Sequence, residues 1–125
     1  RGYGKVTEKN GFTEKEIVEI IRECARLLEE KKGADIVIMD LREVNSYLDY
    51  FLIVTGNSRI HCRSMARDLE RLAHSRGLGG RVKPDYESGW IILDFSELIV
   101  HIFTREMREY YQLEKLWGDA TLLTF

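Results

Sequence analysis

Residues 50 to 55 read Y-F-L-I-V-T, a run without a single charge. A strand with apolar residues at alternate positions needs cover on one face. One that is apolar throughout needs cover on both, so this segment belongs centrally in a sheet with other elements above and below it. Residues 35 to 41, D-I-V-I-M-D-L, are equally short and rich in β-branched residues and read as a second strand of that kind. Asn45, Ser46 and Asp49, in the segment between the two, favour a turn or short irregular helix. The longest apolar run, around Phe51 to Val54, is far short of the roughly 20 residues of a membrane span, so no membrane partner is expected.

Two helices flank these strands in the sequence. Thr13 and Glu16 have capping-box spacing, and Ile17, Ile20, Ile21, Cys24, Leu27 and Leu28 follow with helical periodicity up to Gly33, read as the C′ residue. Asn57 and Ser58 offer a second N-cap, and Cys62, Met65, Ala66, Leu69, Leu72 and Ala73 continue the pattern to Gly77. The segment R-V-K-P-D-Y-E-S-G contains the single proline, Pro84, and any strand in it is expected to be short or peripheral. Residues 89 to 95 and 98 to 103 read as a hairpin turning near Ser96 and Glu97. Thr104 then caps one last helix carrying Met107, Tyr110, Tyr111, Leu113 and Trp117. The expected order is α β β α β β β α, an α/β chain with a mixed five-stranded sheet.

The chain has 125 residues, which suits one domain. Residues 1–12 are expected to be a flexible lead-in, 13–120 the folded unit and 121–125 a tail. Arg1 rather than Met opens the sequence, which leaves room for a processed leader or a longer natural start. A net charge of -2 provides no global attraction for a polyanion. Two cysteines without metal-ligand spacing fit a reduced compartment, so a cytoplasmic location is expected, or an organelle matrix if the source is eukaryotic.

Candidate chemistry is sparse. The T-G-N-S turn before the second helix could face a phosphate, but it lacks the glycine spacing of a dinucleotide site and the lysine of a P-loop; a tight turn with a helix cap accounts for the same residues. Asp40, Asp49 and Asp94 are not arranged as the strand Asp-x-Asp that two-metal nucleotidyl transfer uses. His61, His74 and His101 have no partner at zinc spacing, and no metal or cofactor is expected. His101 alternates with Ile99 and Phe103 on one strand face, where a core or rim histidine is the simpler reading. Cys24 and Cys62 fall on helix stripes as small hydrophobes. Arg59, Arg63, Arg67 and Arg71 recur every four residues, either as a solvated face or as an RNA or phosphate contact. Trp90 and the segment from Arg105 to Trp117 combine aromatic and charged residues as protein-binding surfaces do.

Taken in order, D-I-V-I-M-D-L, S-Y-L-D-Y-F-L-I-V-T-G-N-S-R-I-H, and W-I-I-L-D-F-S-E-L-I-V-H-I-F-T-R-E-M-R-E-Y-Y-Q-L-E-K-L-W-G-D-A resemble the ribosomal silencing factor family, also called Iojap-like, from about Ile17 to Ala120. The resemblance implies a domain related to the nucleotidyltransferase-like fold, without its catalytic acids, that acts without catalysis. It implies binding to the large ribosomal subunit at ribosomal protein L-fourteen, a steric block to subunit joining that represses translation when nutrients are short, and, in organelle relatives, a role in large-subunit assembly. The positions that match the family pattern are Asp49, Tyr50, Phe51, Gly56, Ser58, Trp90, Asp94, His101, Arg108, Tyr111, Leu113, Glu114 and Trp117. On this reading Trp90, Ile92, Val100, His101, Phe103, Tyr111 and Trp117 meet the protein partner, and a free copy could pair with itself through the same surface. The alternative is a small nucleotide-binding enzyme of the nucleotidyltransferase type using the turn at 55 to 58.

Overall fold

A computed structural model describes residues 11–80 and 82–125; the expected lead-in lies mostly outside the described residues. Helix α1, Glu14–Glu30, begins at the anticipated capping box: Thr13 Oγ1 accepts from the Glu16 amide at 3.1 Å and Glu16 Oε1 from the Thr13 amide at 2.9 Å. Phe12, placed in the lead-in by the sequence, packs on the core. The helix ends one residue earlier than expected. Lys32 takes the left-handed conformation (φ 68°), with its amide donating to the Glu29 carbonyl and that of Gly33 to the Leu28 carbonyl. Gly33 is needed for space instead: a Cβ there would lie 2.6 Å from Val54 Cγ2.

Strands β1, Ala34–Asp40, and β2, Tyr50–Gly56, follow, then helix α2, Arg59–Ser75, strands β3, Trp90–Asp94, and β4, Leu98–Thr104, and helices α3, Arg105–Tyr111, and α4, Leu113–Leu116. The chain finishes with strand β5, Thr121–Leu123. The sheet order is β3-β4-β2-β1-β5, parallel only between β2 and β4. Every residue of β2 is buried, as its composition requires. β1 is covered less completely, with Asp35 exposed and a register shift between Ala34 and Val37.

Three expectations about the second half of the chain are corrected. No strand occurs among the described residues of the 81 to 88 segment. Pro84 has no amide to give a ladder, and Tyr86 and Glu87 are drawn onto α2, where Tyr86 bonds Glu70 and Glu87 accepts from Arg63 at 2.6 Å. The fifth strand comes from the supposed tail: Thr121, Leu122 and Leu123 pair with Asp40, Met39 and Ile38 along the outer edge of β1. Arg22 Nε secures this segment by donating to the Thr124 carbonyl at 2.8 Å. The last helix is also not continuous. Gln112 (φ 48°) separates α3 from α4, which lets Glu114 return to Arg108; at a spacing of six residues on one helix the two would point away from each other.

The sheet's two faces are covered unequally. α1 and α2 close one face over Leu52, Val54, Ile91, Leu93, Leu98, Val100 and Ile102. The other, over Met39, Phe51, Ile53 and Phe103, has only α3, α4 and the 41 to 48 loop. Deleting residues 121–125 should lower stability by about 1–2 kcal/mol, because it bares the edge of β1 and removes the half-buried Leu123. Urea denaturation measures this; a tail outside the fold would leave the midpoint unchanged.

Candidate protein-docking face

Strand pairing arranges the thinly covered face in rows. Trp90, Phe103 and Thr55 lie side by side, then Ile92, His101 and Ile53, then Asp94, Ile99 and Phe51. Alternation along each strand sends these residues to one side and Ile91, Leu93, Val100 and Ile102 to the helix side. The aromatic rings make a connected series. Trp90 stacks on Phe103 with centroids 4.9 Å apart and meets Tyr111 of α3 at 4.7 Å; Tyr111 meets Tyr110 edge-on at 4.9 Å. His101 lies edge-on to Phe51 at 4.4 Å, and Phe51 to Trp117 at 6.4 Å. Trp90 Nε1 donates to His101 Nδ1 at 3.0 Å.

His101 is 5% exposed, and burial holds its pKa down to about 4, so the ring is neutral near pH 7. Because Nδ1 accepts from Trp90, the proton of the neutral ring resides on Nε2. Arg108 joins α3 to the sheet from a nearly buried position. Its Nη1 donates to the Asp35 carbonyl at 2.6 Å and to Thr55 Oγ1 at 2.9 Å, and Nη2 reaches Glu114 Oε2 at 3.0 Å. One guanidinium thus fixes the bulged end of β1, the end of β2 and the chain reversal at Gln112. Its place in the family pattern has this architectural content, which helical periodicity alone did not reveal.

The seven residues expected to meet a protein partner divide sharply. Ile92 (43% exposed) and Tyr111 (46%) are open, and Trp90 and Trp117 are half-buried. Val100 is fully buried and points to α2, while Phe103 is fully buried beneath Trp90. Neither can be a direct contact; Phe103 instead supports Trp90. His101 likewise lies beneath the surface. Leu116, 71% exposed on α4, was not singled out from the sequence, where it merged into the apolar pattern around Leu113 and Trp117.

The arginine column is engaged within the chain. Arg59 donates to the Glu87 carbonyl at 2.9 Å, Arg63 pairs with Glu87, Arg67 covers the Tyr86 ring at 4.9 Å, and Arg71 meets Asp68 at 2.6 Å. The contacts of Arg59, Arg63 and Arg67 strap the 82 to 89 loop to α2, while that of Arg71 stays within the helix, and all four side chains remain at the surface. At the T-G-N-S turn, Ser58 Oγ accepts from the His61 amide, the Asn57 amide donates to His61 Nδ1 at 2.9 Å, and His61 Nε2 reaches the Lys31 carbonyl at 2.6 Å. A Cβ on Gly56 would lie 2.5 Å from Cys62 Sγ. The turn is built as a cap. Asp40 and Asp94 are three strand spacings apart, about 14 Å, and on opposite faces, and Asp40 is held by Arg42. Such separation does not suit shared metal chemistry. Burial pushes the Cys24 thiol up to about 12 and also raises that of Cys62, which removes thiolate reactivity from both.

A family model described as "Ribosomal silencing factor during starvation" matches residues 14–124. The chain belongs to that family. A ribosomal silencing factor of Bacillus subtilis is 35% identical over 104 residues, covering 82% of this chain and 88% of its own. The chloroplast Iojap protein of Zea mays is 33% identical over 100 residues, 78% of this chain and 42% of the plant protein. The crystal structure of a Chromobacterium violaceum protein is similar with a TM-score of 0.75 and 29% identity, covering 82% of this chain and 86% of the other. The family match extends through β5, in agreement with the pairing that makes residues 121–123 part of the sheet.

In this silencing-factor domain, replacing Arg108 by Leu should cost about 3 kcal/mol, because Glu114 is left without its charge partner and Thr55 and the Asp35 carbonyl without their donor. Adding Glu114→Gln should cost little more; denaturant titration of the single and double variants checks both. His101 supplies a pH prediction. The unfolded ring binds its proton near pH 6.5 and the folded one only near 4, so the unfolded state gains protons first as pH falls. The stability contribution is complete above about pH 6.5 and lost as pH falls through about 4, a difference on the order of 3 kcal/mol. Stability curves between pH 4 and 7 should be flatter for His101→Leu than for the parent.

Proposed function

We propose that this chain represses translation by docking on the large ribosomal subunit through ribosomal protein L-fourteen and blocking subunit joining by occupancy. The observation that carries this reading is the patch of Trp90, Ile92 and Tyr111 on the thinly covered side of the sheet. An aromatic anchor beside exposed aliphatic and tyrosine side chains is the composition of a protein-binding hot spot. The near-neutral charge and the internal engagement of Arg59, Arg63, Arg67 and Arg71 favour a protein surface over RNA as the main contact. Occupying a subunit interface needs bulk in the right place and no catalytic group.

The test is co-sedimentation with purified large subunits, together with the yield of joined ribosomes after small subunits are added. Binding with fewer joined particles is expected, and L-fourteen alone, without RNA, should capture the protein. Absence of binding up to micromolar concentrations defeats the proposal. Trp90→Ala should weaken binding by about 2 kcal/mol. Replacing Arg63 and Arg67 together by Ala should leave the salt dependence of binding unchanged; a shallower slope would instead point to phosphate contacts.

A further inference from the structure

Trp90 stands on β3, an outer strand of the sheet, so its indole is held by what lies beneath and beside it. Stacking on Phe103 and contact with Tyr111 fix the plane of the ring, but such contacts leave open which edge of the indole faces the strand. The hydrogen bond from Nε1 to His101 Nδ1 fixes that edge. His101 occupies the diagonal cross-strand position, since Trp90 itself pairs with Phe103.

We propose that His101 is a positioning residue for Trp90: its Nδ1 clasps the indole N–H so that the anchor ring is already set when the partner arrives. This rests on reading Trp90 as the anchor of the docking face. The cost of placing an imidazole here supports a specific task. His101 Nε2 is buried without a hydrogen-bond partner among the described residues, a desolvation loss that a leucine of similar bulk would avoid. What the imidazole provides in return is one acceptor, directed at Trp90. Its closest surroundings are apolar or aromatic: Phe51 and Ile53 from β2, Ile92 from β3 and Phe103 along β4. The titratable groups on this side include Tyr111 of α3, which contacts Trp90, Tyr110 beside it, Asp94, one row along β3, which accepts from the Ser96 amide, and Arg108 and Glu114, which bond each other next to Thr55. None of these supplies the missing bond in the structure. An anchor ordered in advance spares the complex the entropy of ordering it, which raises affinity without adding a contact.

Nuclear magnetic resonance of the ¹⁵N-labelled full chain tests the clasp directly, with Trp117→Phe distinguishing the two indole signals. The Trp90 indole proton should exchange slowly with solvent, and His101 should carry its proton on Nε2. An indole proton exchanging as freely as that of a dipeptide, or a His101 protonated on Nδ1, overturns the proposal without any variant at His101. His101→Leu should shift the Trp90 signal and weaken binding to purified large subunits about tenfold. His101→Asn, whose carbonyl can take the place of Nδ1, should restore much of both. Because His101 acts through Trp90, His101→Leu should add nothing to the loss caused by Trp90→Ala; fully additive losses, or a folded His101→Leu that binds like the parent, defeat the inference. A parent protein that fails to bind subunits defeats the docking reading itself, and this inference with it. Normal binding with an insensitive His101→Leu defeats the inference alone.

Discussion

Strand β2 sets the terms for the rest of the molecule. Seven consecutive buried residues must be covered from above, below and both sides, and each neighbouring element meets part of that requirement. β1 and β4 pair with its edges, α1 and α2 close one face, and short pieces close the other. The asymmetry matters more than the closure. Two 17-residue helices on one side leave no sheet surface for a partner, whereas the short α3 and α4 leave Ile92 and Tyr111 in solvent around Trp90. The candidate docking face is thus the unfinished side of a core whose centre is complete.

Arg108 and Glu114 show how a minimal cover is kept in place. Short helices have little internal stability, so α3 and α4 depend on tertiary fixation. A guanidinium bonded at once to a backbone carbonyl, a threonine hydroxyl and a carboxylate provides it. The same ties orient α3 so that Tyr111 lies against Trp90, linking a partly buried ion pair to the shape of an exposed surface.

The long helices were legible in the sequence because their signals are local: a capping box, an apolar stripe and a terminal turn. β2 was legible because unbroken apolar character admits few environments. β5 was not, because three residues have no period and their pairing depends on the free edge of β1. The break at Gln112 was hidden for a related reason, since only the distant demands of Arg108 on Glu114 make it necessary. At the candidate face, Trp90, Ile92 and Tyr111 could be singled out by type. Phe103 was misplaced as a contact because alternation tells which residues share a side but not how deeply each lies. Val100, next to His101 on the strand, falls by alternation on the helix side and could have been set apart. The arginine column was visible as spacing, while its partners on the 82 to 89 loop were beyond the range of any local pattern.

His61 gives the T-G-N-S turn a different meaning. Its ring takes the Asn57 amide on one nitrogen and contacts the Lys31 carbonyl with the other, joining the negative end of one helix dipole to the positive end of the next. At the end of a strand that leads into a helix, that amide is among the groups a phosphate would seek. The chain has placed its own imidazole there. A would-be ligand must therefore compete with a tethered occupant that also staples α1 to α2, and evicting it would loosen the packing of both helices. The feature that most resembles a nucleotide-binding loop works as an internal plug.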